Sequence, residues 1–446
     1  MDRAGSESRP RTVDAEPPTA SRTVEVTDVS FQAFLASRAP PRVHWATAEG
    51  LEVVATGAAT RIEPSGDDRF AAARSRAEAV FAGLDHTGPS VARPRAFGGF
   101  AFFPEHESAP PWEGFPTASF VVPSVQLTRA ADRTWLTVTA ADEATADRRL
   151  DELQGELDGL PAMQPTGGPP GVAETRQRTP RGTWTAQVAD AVERIRGGDL
   201  RKVVLATALD VDLDAAIQPP AVLERLRRTY PDCYRFLLQP TASAGFFGAP
   251  PERLVKLSGR TVETEALAGS VERGDSPEED ADLAASLLES DKLQEEQGLV
   301  VDAIRDALAP LGEVTVGEQS VRKLTNIQHL QTPITADLAA DAHVLSVVAA
   351  LHPTPAVGGV PRERALALIR EIETFERGWY AAPVGWFDAA GDGEFAVGIR
   401  SGVAGGDWAT LFAGNGIVAD SDPDEEWAEI APKYRPILDE LDPQGP

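Results

Sequence analysis

Cysteine, methionine and lysine are scarce in this chain of 446 residues, which contains one, two and five of them respectively. The single cysteine, Cys233, excludes an internal disulfide framework and a metal site built from several thiolates. Its neighbours at 232–236 have the pattern of the start of a buried strand, which argues against a catalytic thiol. The longest apolar runs, such as 345–351, are far too short to cross a bilayer.

Positive charge is also scarce, since 42 lysines and arginines stand against 69 aspartates and glutamates, for a net charge of −27. No basic run is present that would neutralise the phosphates of nucleic acid or of an anionic membrane, so we expect neither as a partner. All five lysines lie beyond residue 200. An acidic chain with few lysines is typical of halophilic proteins, because salt at about 1 M shortens the Debye length to ~3 Å. Composition drift in a GC-rich genome is the alternative explanation.

The chain divides into a tail, two halves and a linker. Residues 1–24 are polar and contain proline, so we expect a disordered tail without the apolar segment of a secretory signal, and hence a cytoplasmic protein. Residues 25–160 combine strand and helix patterns. The proline- and glycine-rich stretch 161–180 is predicted to be a linker, and 181–440 is predicted to be the catalytic part.

The second half determines the predicted fold class. Its strand patterns lie near 201–209, 234–239, 243–248, 253–257 and 261–267. Helical patterns follow near 276–289 and 291–309. Several antiparallel strands ahead of the helices favour an α+β fold over a doubly wound parallel sheet.

Two helices present carboxylates on their apolar faces. On the helix predicted at 291–309, Glu296 lies on the apolar stripe, and on the helix predicted at 422–438, Glu426 and Glu429 do. Inward carboxylates from separate helices suit a hard divalent cation such as Mg²⁺, which accepts few protein ligands and keeps some of its water. The alternative is that each carboxylate pairs with an arginine or caps a helix.

Two further features are suited to an anionic ligand. Gly414 and Gly416 lie just before the second of these helices, where their backbone N–H groups can approach an anion closely. Arg400 ends a predicted strand, and its guanidinium is a candidate to bind a substrate carboxylate through two hydrogen bonds. An ordinary turn and a structural ion pair are the respective alternatives.

Seven ordered blocks in the second half carry a family resemblance. They are RKVVLATALDV from Arg201, GAPPERLVKL from Gly248, ETEALAGS from Glu263, LLESDKLQEEQGLV from Leu287, LHPTPAVGG from Leu351, VGWFDAAGDGEFAVGIRSG from Val384 and LFAGNGIVADSDPDEEWAEIAPKY from Leu411. Together they resemble the chorismate-utilising enzymes, and most closely the isochorismate synthases of the menaquinone type. The first half matches more diffusely, through FGGFAFF from Phe97. The resemblance implies one large domain of two packed β-sheets surrounded by helices.

The resemblance also implies a reaction, in which water adds at C2 of chorismate while the C4 hydroxyl leaves and the ring double bonds shift. It makes Lys202 the general base that activates water and Glu252 the general acid that protonates the departing hydroxyl. An apolar strand face around Lys202 would desolvate its ammonium and favour the neutral amine, and an enclosed site would keep Glu252 protonated. A lysine that merely extends from a strand end to solvent is the alternative for Lys202.

By the same resemblance, a Mg²⁺ cofactor is held by Glu296 and Glu429. The residues that it places around the substrate are Gly269, Ser270, His329, His352, Tyr380, Arg400, Gly414, Gly416 and Lys433. Among these, Tyr380 and Arg400 are similar to residues that bind the enolpyruvyl carboxylate. A structural hydrogen bond is the alternative role for each of the two histidines.

Three residues depart from the family pattern. Pro250 stands where a serine is usual, and Asn415 stands where an alanine is usual between the two glycines. Pro432 falls inside the last predicted helix, where it removes a hydrogen bond and is expected to kink the helix between Glu429 and Lys433.

Lys202 also distinguishes between members of the family. Relatives that make anthranilate or aminodeoxychorismate use ammonia, lack this lysine and usually depend on a glutaminase, so we expect no glutaminase subunit here. Salicylate synthases keep the base and the acid and go on to eliminate pyruvate, which makes them the alternative activity. A non-catalytic chorismate-binding subunit is a further alternative, and it would be expected to lack the base, the acid or a metal carboxylate. The ETEALAG string favours menaquinone biosynthesis over a siderophore pathway.

Overall fold

A computed structural model describes residues 17–161, 167–325 and 327–442, without the side chains of Ser270 and Lys292. Its helices are α1 (Phe31–Ala36), α2 (Arg69–Ala82), α3 (Glu143–Asp158), α4 (Arg181–Arg196), α5 (Pro219–Thr229), α6 (Pro277–Glu289), α7 (Asp291–Leu308), α8 (Val344–Leu351), α9 (Arg362–Ile372), α10 (Pro423–Ala428) and α11 (Ile430–Leu438). Within the described ranges, no helix is long and apolar enough to cross a membrane.

The strands of the first half are β1 (Ala20–Val26), β2 (Arg42–Ala46), β3 (Glu52–Thr56), β4 (Thr60–Ile62), β5 (Asp85–Thr87), β6 (Arg95–Phe100), β7 (Ala118–Val122), β8 (Val125–Ala130) and β9 (Arg133–Ala140). Those of the second half are β10 (Val172–Gln177), β11 (Lys202–Leu213), β12 (Arg235–Gln239), β13 (Gly245–Gly248), β14 (Arg253–Ser258), β15 (Thr261–Glu272), β16 (Gly312–Val316), β17 (Ser320–Lys323), β18 (Ile327–Leu338), β19 (Gly359–Val360), β20 (Pro383–Asp388), β21 (Gly393–Val397), β22 (Ser401–Gly405) and β23 (Trp408–Ile417).

These strands form two large sheets. A 13-stranded sheet has the order β10-β11-β23-β22-β13-β12-β2-β3-β8-β9-β1-β5, with β19 also paired to β11. A 10-stranded sheet has the order β16-β18-β15-β14-β21-β20-β6-β7-β4, with β17 also paired to β18. Both halves of the chain contribute to each sheet, because β2 pairs with β12 and β6 pairs with β20. The described pairs are antiparallel apart from β1 with β5, and the predicted α+β fold of two sheets with outer helices is confirmed.

A loop of the first half packs beneath the strands of the second. Trp112 is fully buried and stacks on Phe412 of β23, with ring centroids 5.2 Å apart, and it packs edge-on against Phe246, with ring centroids 5.1 Å apart. Gly378 has φ +55°, and a Cβ there would lie 2.2 Å from the indole of Trp112. Only glycine therefore allows this approach, which joins the two halves into one core.

Two boundaries predicted from the sequence are wrong. β1 begins at Ala20, inside the predicted tail 1–24, and pairs with both β9 and β5. The predicted linker 161–180 contains β10, which forms an edge of the first sheet against β11. Hydrogen bonds to neighbouring strands stabilise these polar segments, an effect of tertiary context that their composition does not reveal. The remaining parts of these two predictions, at 1–16 and 162–166, lie outside the described residues.

The helix predicted at 422–438 is in fact two helices, α10 and α11, which meet at Glu429. Asp422 caps the first by accepting hydrogen bonds from two backbone N–H groups, at 2.9 and 3.2 Å. Pro432 has no N–H to donate, and its ring is incompatible with a helical residue four positions earlier. That position is Ala428, where α10 ends, so the expected distortion occurs as a break at Glu429.

The helix that carries Glu296 has the predicted orientation. Ser290 caps α7 by accepting a hydrogen bond from a backbone N–H of the first turn, at 3.4 Å. Val300, Ile304 and Leu308 are buried at intervals of four residues, which places them on one face. Glu296 lies one turn earlier on that face, so its carboxylate points towards the interior.

A buried ion pair fills a gap beside β11. On one edge of this strand, β10 pairs from Leu209 onward and β19 pairs only with the first two residues. In the interval, Arg377 donates to the Val204 carbonyl at 2.7 Å, and Glu373 accepts from the Ala206 N–H at 2.8 Å. The Glu373 and Arg377 side chains are 4% and 1% exposed. They satisfy backbone groups that would otherwise be buried without partners.

Arg377→Met is expected to destabilise the protein by about 3–5 kcal/mol, because it leaves the buried Glu373 carboxylate without its cation. The free energy of unfolding in urea measures this loss. Arg370→Met is the matched control, since it removes a surface pair with Glu105 whose side chains are 45% and 65% exposed, and it should cost less than about 1 kcal/mol. Equal losses of unfolding free energy in the two variants would contradict the conclusion that Arg377 stabilises the backbone of β11.

Candidate active site

A cavity of about 160 Å³ opens between the two sheets. Its walls come from β11 and β23 of the first sheet, β15 and β18 of the second, and α7. Ten of the thirteen predicted site residues line it, namely Lys202, Glu252, Gly269, Glu296, His329, Tyr380, Arg400, Gly414, Gly416 and Lys433. The structure thus brings together residues that are up to 231 positions apart, from Lys202 to Lys433.

Two of the remaining predicted residues are Ser270 and His352. The side chain of Ser270 lies outside the part of the chain that the structure describes. His352 is buried at the end of α8, where its ring packs edge-on against Phe102 with centroids 5.4 Å apart. Its Nε2 donates to the Phe102 carbonyl at 3.3 Å, and burial lowers its pKa to about 3. His352 is therefore a neutral structural residue rather than part of the cavity wall.

Lys202 is held against a glycine and a carboxylate. The register of β11 with β23 pairs Val204 with Gly416. Lys202 lies two residues before Val204, and its side chain extends over that glycine. A Cβ at Gly416 would lie 2.9 Å from Cε of Lys202 and 3.2 Å from Oε1 of Glu296. The Lys202 Nζ donates to that Oε1 at 2.6 Å, and the lysine side chain is 3% exposed. Gly416 thus provides the space in which Lys202 and Glu296 meet.

Glu252 lies directly before β14 on the cavity wall and is 7% exposed. Its pKa is raised to about 8, mainly by burial and then by the nearby Glu265 carboxylate, while the positive charge of Lys202 lowers it. No described residue donates a hydrogen bond to its carboxyl. Glu252 is therefore protonated at neutral pH, which suits a general acid.

Two cations face the same cavity. Arg400 has φ 49°, a left-handed conformation that costs energy for a residue other than glycine. Within the described ranges its guanidinium forms neither a hydrogen bond nor an ion pair. Lys433 donates to the Gly414 carbonyl at 3.1 Å and to Oδ1 of Asn415, and burial lowers its pKa to about 8. An uncommitted arginine beside a buried lysine provides a binding site for a carboxylate.

Tyr380 adds a neutral donor next to these cations. Its ring stacks on Phe412 with centroids 5.2 Å apart and an interplanar angle of 22°. Its hydroxyl would lie 3.2 Å from a Cβ placed at Gly414, so glycine leaves room for a ligand group beside it. Burial raises the pKa of the phenol to about 12, and the hydroxyl keeps its proton.

A β-bulge shapes the wall from the second sheet. The pairing of β15 with β18 shifts register between Ala268 and Ser270, and Gly269 in between has φ +64°. His329 donates from Nδ1 to the Gly269 carbonyl at 3.0 Å, and burial lowers its pKa to about 4. The bulge and the neutral imidazole together form a rigid, uncharged part of the cavity wall.

Glu429, the second predicted metal ligand, lines an adjoining cavity of about 530 Å³ that shares Arg400 and Lys433 with the first. Its side chain is 62% exposed and lies 3.6 Å from Nζ of Lys433. Within the described ranges, no group of three or more histidine, cysteine, aspartate or glutamate residues is suited to a metal ion. Glu296 and Glu429 line adjoining cavities and carry carboxylate oxygens, the type of ligand that Mg²⁺ prefers.

The prediction that Glu429 faces inward is wrong, because its side chain is mostly exposed. Glu426, which was also predicted to face inward, is buried and forms hydrogen bonds within the protein. Nδ2 of Asn415 donates to its Oε2 at 2.8 Å and to its backbone carbonyl at 2.7 Å. Ser421 donates to its Oε1 at 2.7 Å. Its oxygens are therefore occupied within the protein, which leaves Glu429 as the carboxylate of this segment that is available to an ion.

Arg377 and Phe412 are among the residues of the cavity wall that sequence reasoning missed. The spacing of Glu373 and Arg377, four residues apart, is a recognisable signal of an ion pair. Nothing in the sequence indicates that the pair lies beside β11. Phe412 belongs to a recognised block, but the apolar pattern of a strand does not reveal which aromatic residue contacts a ligand.

Glu252→Gln should become more stable relative to wild type as the pH rises from about 5 to 8. Over this range the folded protein keeps a proton on Glu252, whereas the unfolded chain, with an ordinary pKa of 4.5, loses it. Wild-type stability therefore falls with rising pH by at most about 1.4 kcal/mol per unit from this group, and the glutamine variant lacks that loss. Urea unfolding of both proteins at pH 5, 7 and 9 measures the difference, and a difference independent of pH would refute the assignment.

Comparison with known proteins agrees with this arrangement. A family model described as chorismate binding enzyme matches residues 7–442. The salicylate biosynthesis isochorismate synthase of Pseudomonas aeruginosa is 37% identical over 92% of this chain and 86% of its own. The isochorismate synthase MenF of Bacillus subtilis is 37% identical over 79% of this chain and 75% of its own. The solved structure of MenF, the menaquinone-specific isochorismate synthase from Escherichia coli, matches with a TM-score of 0.81 at 27% identity over 96% of each chain. This chain therefore belongs to the family of chorismate-binding enzymes.

Proposed function

We propose that this protein is an isochorismate synthase, an isomerase that converts chorismate reversibly into isochorismate with Mg²⁺ as cofactor. The observation that carries the proposal is that Lys202 and Glu252 line one cavity together with the guanidinium of Arg400. A lysine and a protonated carboxyl are the two groups that a water-adding, water-releasing isomerisation requires. The relatives named as isochorismate synthases support the same activity.

Substrate binding follows from the charges on the cavity wall. Arg400 and Lys433 bind the enolpyruvyl carboxylate, and the Tyr380 hydroxyl donates a further hydrogen bond to it. Val204 and Leu267 contribute apolar surface against the ring and limit access of bulk water. The ring is thereby fixed with C2 towards Lys202 and C4 towards Glu252.

Proton transfer then follows from the two reacting side chains. Nζ of Lys202 accepts a proton from the water that adds at C2. The ring double bonds shift, and the C4–oxygen bond breaks as Glu252 donates its proton to the departing hydroxyl. One water enters and one leaves, so the atoms balance, and the reverse reaction uses the same groups in exchanged roles.

Glu296 and Glu429 are the residues that we propose hold Mg²⁺. When bound, the ion supplies neutralisation of the ring carboxylate and fixes its position. Glu296 also contacts Lys202, so the same carboxylate helps to place the base. Asn415 and Ser421 prevent Glu426 from competing for the ion.

The cellular setting is part of the proposal. We propose that the enzyme serves menaquinone biosynthesis, which the ETEALAG string and the likeness to the Escherichia coli menaquinone-specific enzyme support. It acts without a glutaminase subunit, because its nucleophile is water. Its net charge of −27 with five lysines supports a saline cytoplasm as its environment.

Lys202→Ala should lower isochorismate formation by at least about a hundredfold, because general base catalysis contributes roughly 10²–10⁴ to the rate. The pure protein is incubated with chorismate and Mg²⁺ at low and at high KCl, and isochorismate, salicylate and anthranilate are separated by chromatography. Lys256→Ala is the matched control, since that lysine pairs with Glu49 and Glu263 outside the cavity. Full isochorismate formation by the Lys202 variant would overturn the mechanism, and salicylate as the main product of wild type would establish the salicylate synthase alternative.

Glu429→Gln is expected to weaken Mg²⁺ binding by about tenfold or more and to reduce turnover in parallel, because it removes one of two charged ligands. Isothermal titration with MgCl₂ measures binding independently of activity, and chelation with EDTA should abolish turnover of wild type. Glu425→Gln is the control, since it removes an exposed carboxylate four residues away that faces solvent. Equal Mg²⁺ affinity in the two variants would exclude Glu429 as a ligand.

A further inference from the structure

Glu265 and Arg322 form hydrogen bonds with the backbone on both sides of Glu252. The N–H of Arg253, the next residue, donates to Oε1 of Glu265 at 3.2 Å. The carbonyl of Pro251, the preceding residue, accepts a hydrogen bond from Nη1 of Arg322 at 3.1 Å. That same Nη1 lies 3.1 and 3.3 Å from the two oxygens of Glu265. One ion pair therefore spans the two peptide groups that flank the proposed general acid.

Strands of the second sheet hold this ion pair in place. Glu265 lies on β15 and its side chain is 9% exposed, while Arg322 lies on β17 with a side chain 23% exposed. Gln331 of β18, the strand that pairs with both, donates from Nε2 to Oε2 of Glu265. A further N–H of Arg322 reaches the carbonyl of Asp232 at 3.3 Å. Three adjacent strands thus hold the ion pair, so its position is well determined.

The carboxyl of Glu252 depends on this support. No described residue donates a hydrogen bond to it, and its position follows from its own backbone. That backbone has limited support of other kinds: the Glu252 carbonyl accepts from the Val397 N–H at 3.2 Å, and Pro251 has no N–H to donate. A general acid must meet its target oxygen at hydrogen-bonding distance, and a displacement of about 1 Å can cost on the order of a hundredfold in rate.

We propose that Glu265 and Arg322 form a positioning clamp that holds the carboxyl of Glu252 against the hydroxyl leaving group. The inference rests on the proposed function, in which Glu252 is the general acid. Neither clamp residue touches the substrate, because Glu265 and Arg322 act through peptide groups behind the cavity wall. In addition, the negative charge of Glu265 raises the pKa of Glu252.

The charge balance around Glu252 predicts how the clamp affects pH dependence. Lys202 from β11 opposes the effect of Glu265, and Arg322 partly neutralises Glu265. The other charged or titratable groups on the cavity wall are Glu296, His329, Arg377, Tyr380, Arg400 and Lys433, and Arg253 follows Glu252 in the chain. These remain unchanged when either clamp residue is replaced, so a difference between variants reports the clamp itself.

The test compares three variants of the full chain by their pH–rate profiles for isochorismate formation. Glu265→Gln should lower kcat by about tenfold or more with KM for chorismate within about twofold, and the alkaline limb of kcat should move to lower pH. Arg322→Gln should lower kcat similarly and move the limb to higher pH, because the charge of Glu265 is then unopposed. Glu263→Gln is the matched control on the same strand, since Glu263 pairs with the side chains of Arg253 and Lys256 instead of the backbone.

Opposite shifts of the alkaline limb in Glu265→Gln and Arg322→Gln support the clamp, since a general loss of structure would move both in one direction. Wild-type kcat and pH profile in Glu265→Gln, or a loss equal to that in Glu263→Gln, would overturn it. Thermal unfolding midpoints verify that each variant is folded, and the two clamp positions lie on different strands, so failure of one to fold leaves the other as the test. A wild-type protein that forms no isochorismate refutes the proposed function instead, which distinguishes the two failures.

Discussion

The antiparallel pairing of β11 with β23 is the constraint on which the rest of the site depends. Ten residue pairs run from Val203 with Ile417 to Asp212 with Trp408. This register pairs Val204 with Gly416 and Ala206 with Gly414, and the Lys202 side chain, two residues before Val204, reaches over Gly416. A slip of one residue would turn every side chain of β11 to the other face and remove Lys202 from the cavity. The two glycines therefore function only in this register, where the absence of a Cβ leaves room for the lysine and the ligand.

Other elements stabilise that pairing from outside the reacting groups. The Glu373 and Arg377 pair completes the hydrogen bonding of β11 where β10 and β19 leave it without a strand partner. Trp112, from the first half of the chain, packs against Phe412 on β23. The first half of the chain, which carries no proposed catalytic residue, thus packs against a strand that lines the cavity. This packing explains why both halves form one unit.

The interior of this acidic protein differs from its surface, because the cavity is positively charged and burial keeps one of its carboxyls protonated. The surface carries most of the 69 carboxylates, whereas the cavity collects Lys202, Arg400 and Lys433. Of the two carboxyls near the base, Glu296 pairs with Lys202, and Glu252 has its pKa raised to about 8. A dianionic substrate therefore meets a local positive region within a negative molecule, and high salt screens the outer repulsion far more than these buried interactions. The proposed acid, base and anion site all depend on limited solvent access.

The sequence by itself determined the family, the α+β class and ten of the residues that line the cavity, because ordered blocks and strand alternation are local patterns that survive in one dimension. It also identified Pro432 as a point of distortion. Only the tertiary structure decided that His352 packs away from the cavity on Phe102 and that the polar segments around Ala20 and Val172 become strands. Such outcomes depend on which neighbour supplies a hydrogen bond or excludes water, and those neighbours lie tens to hundreds of residues away. The same holds for the hydrogen bonds of Glu265 and Arg322 to the backbone beside Glu252, because contacts between three strands produce no recognisable sequence pattern.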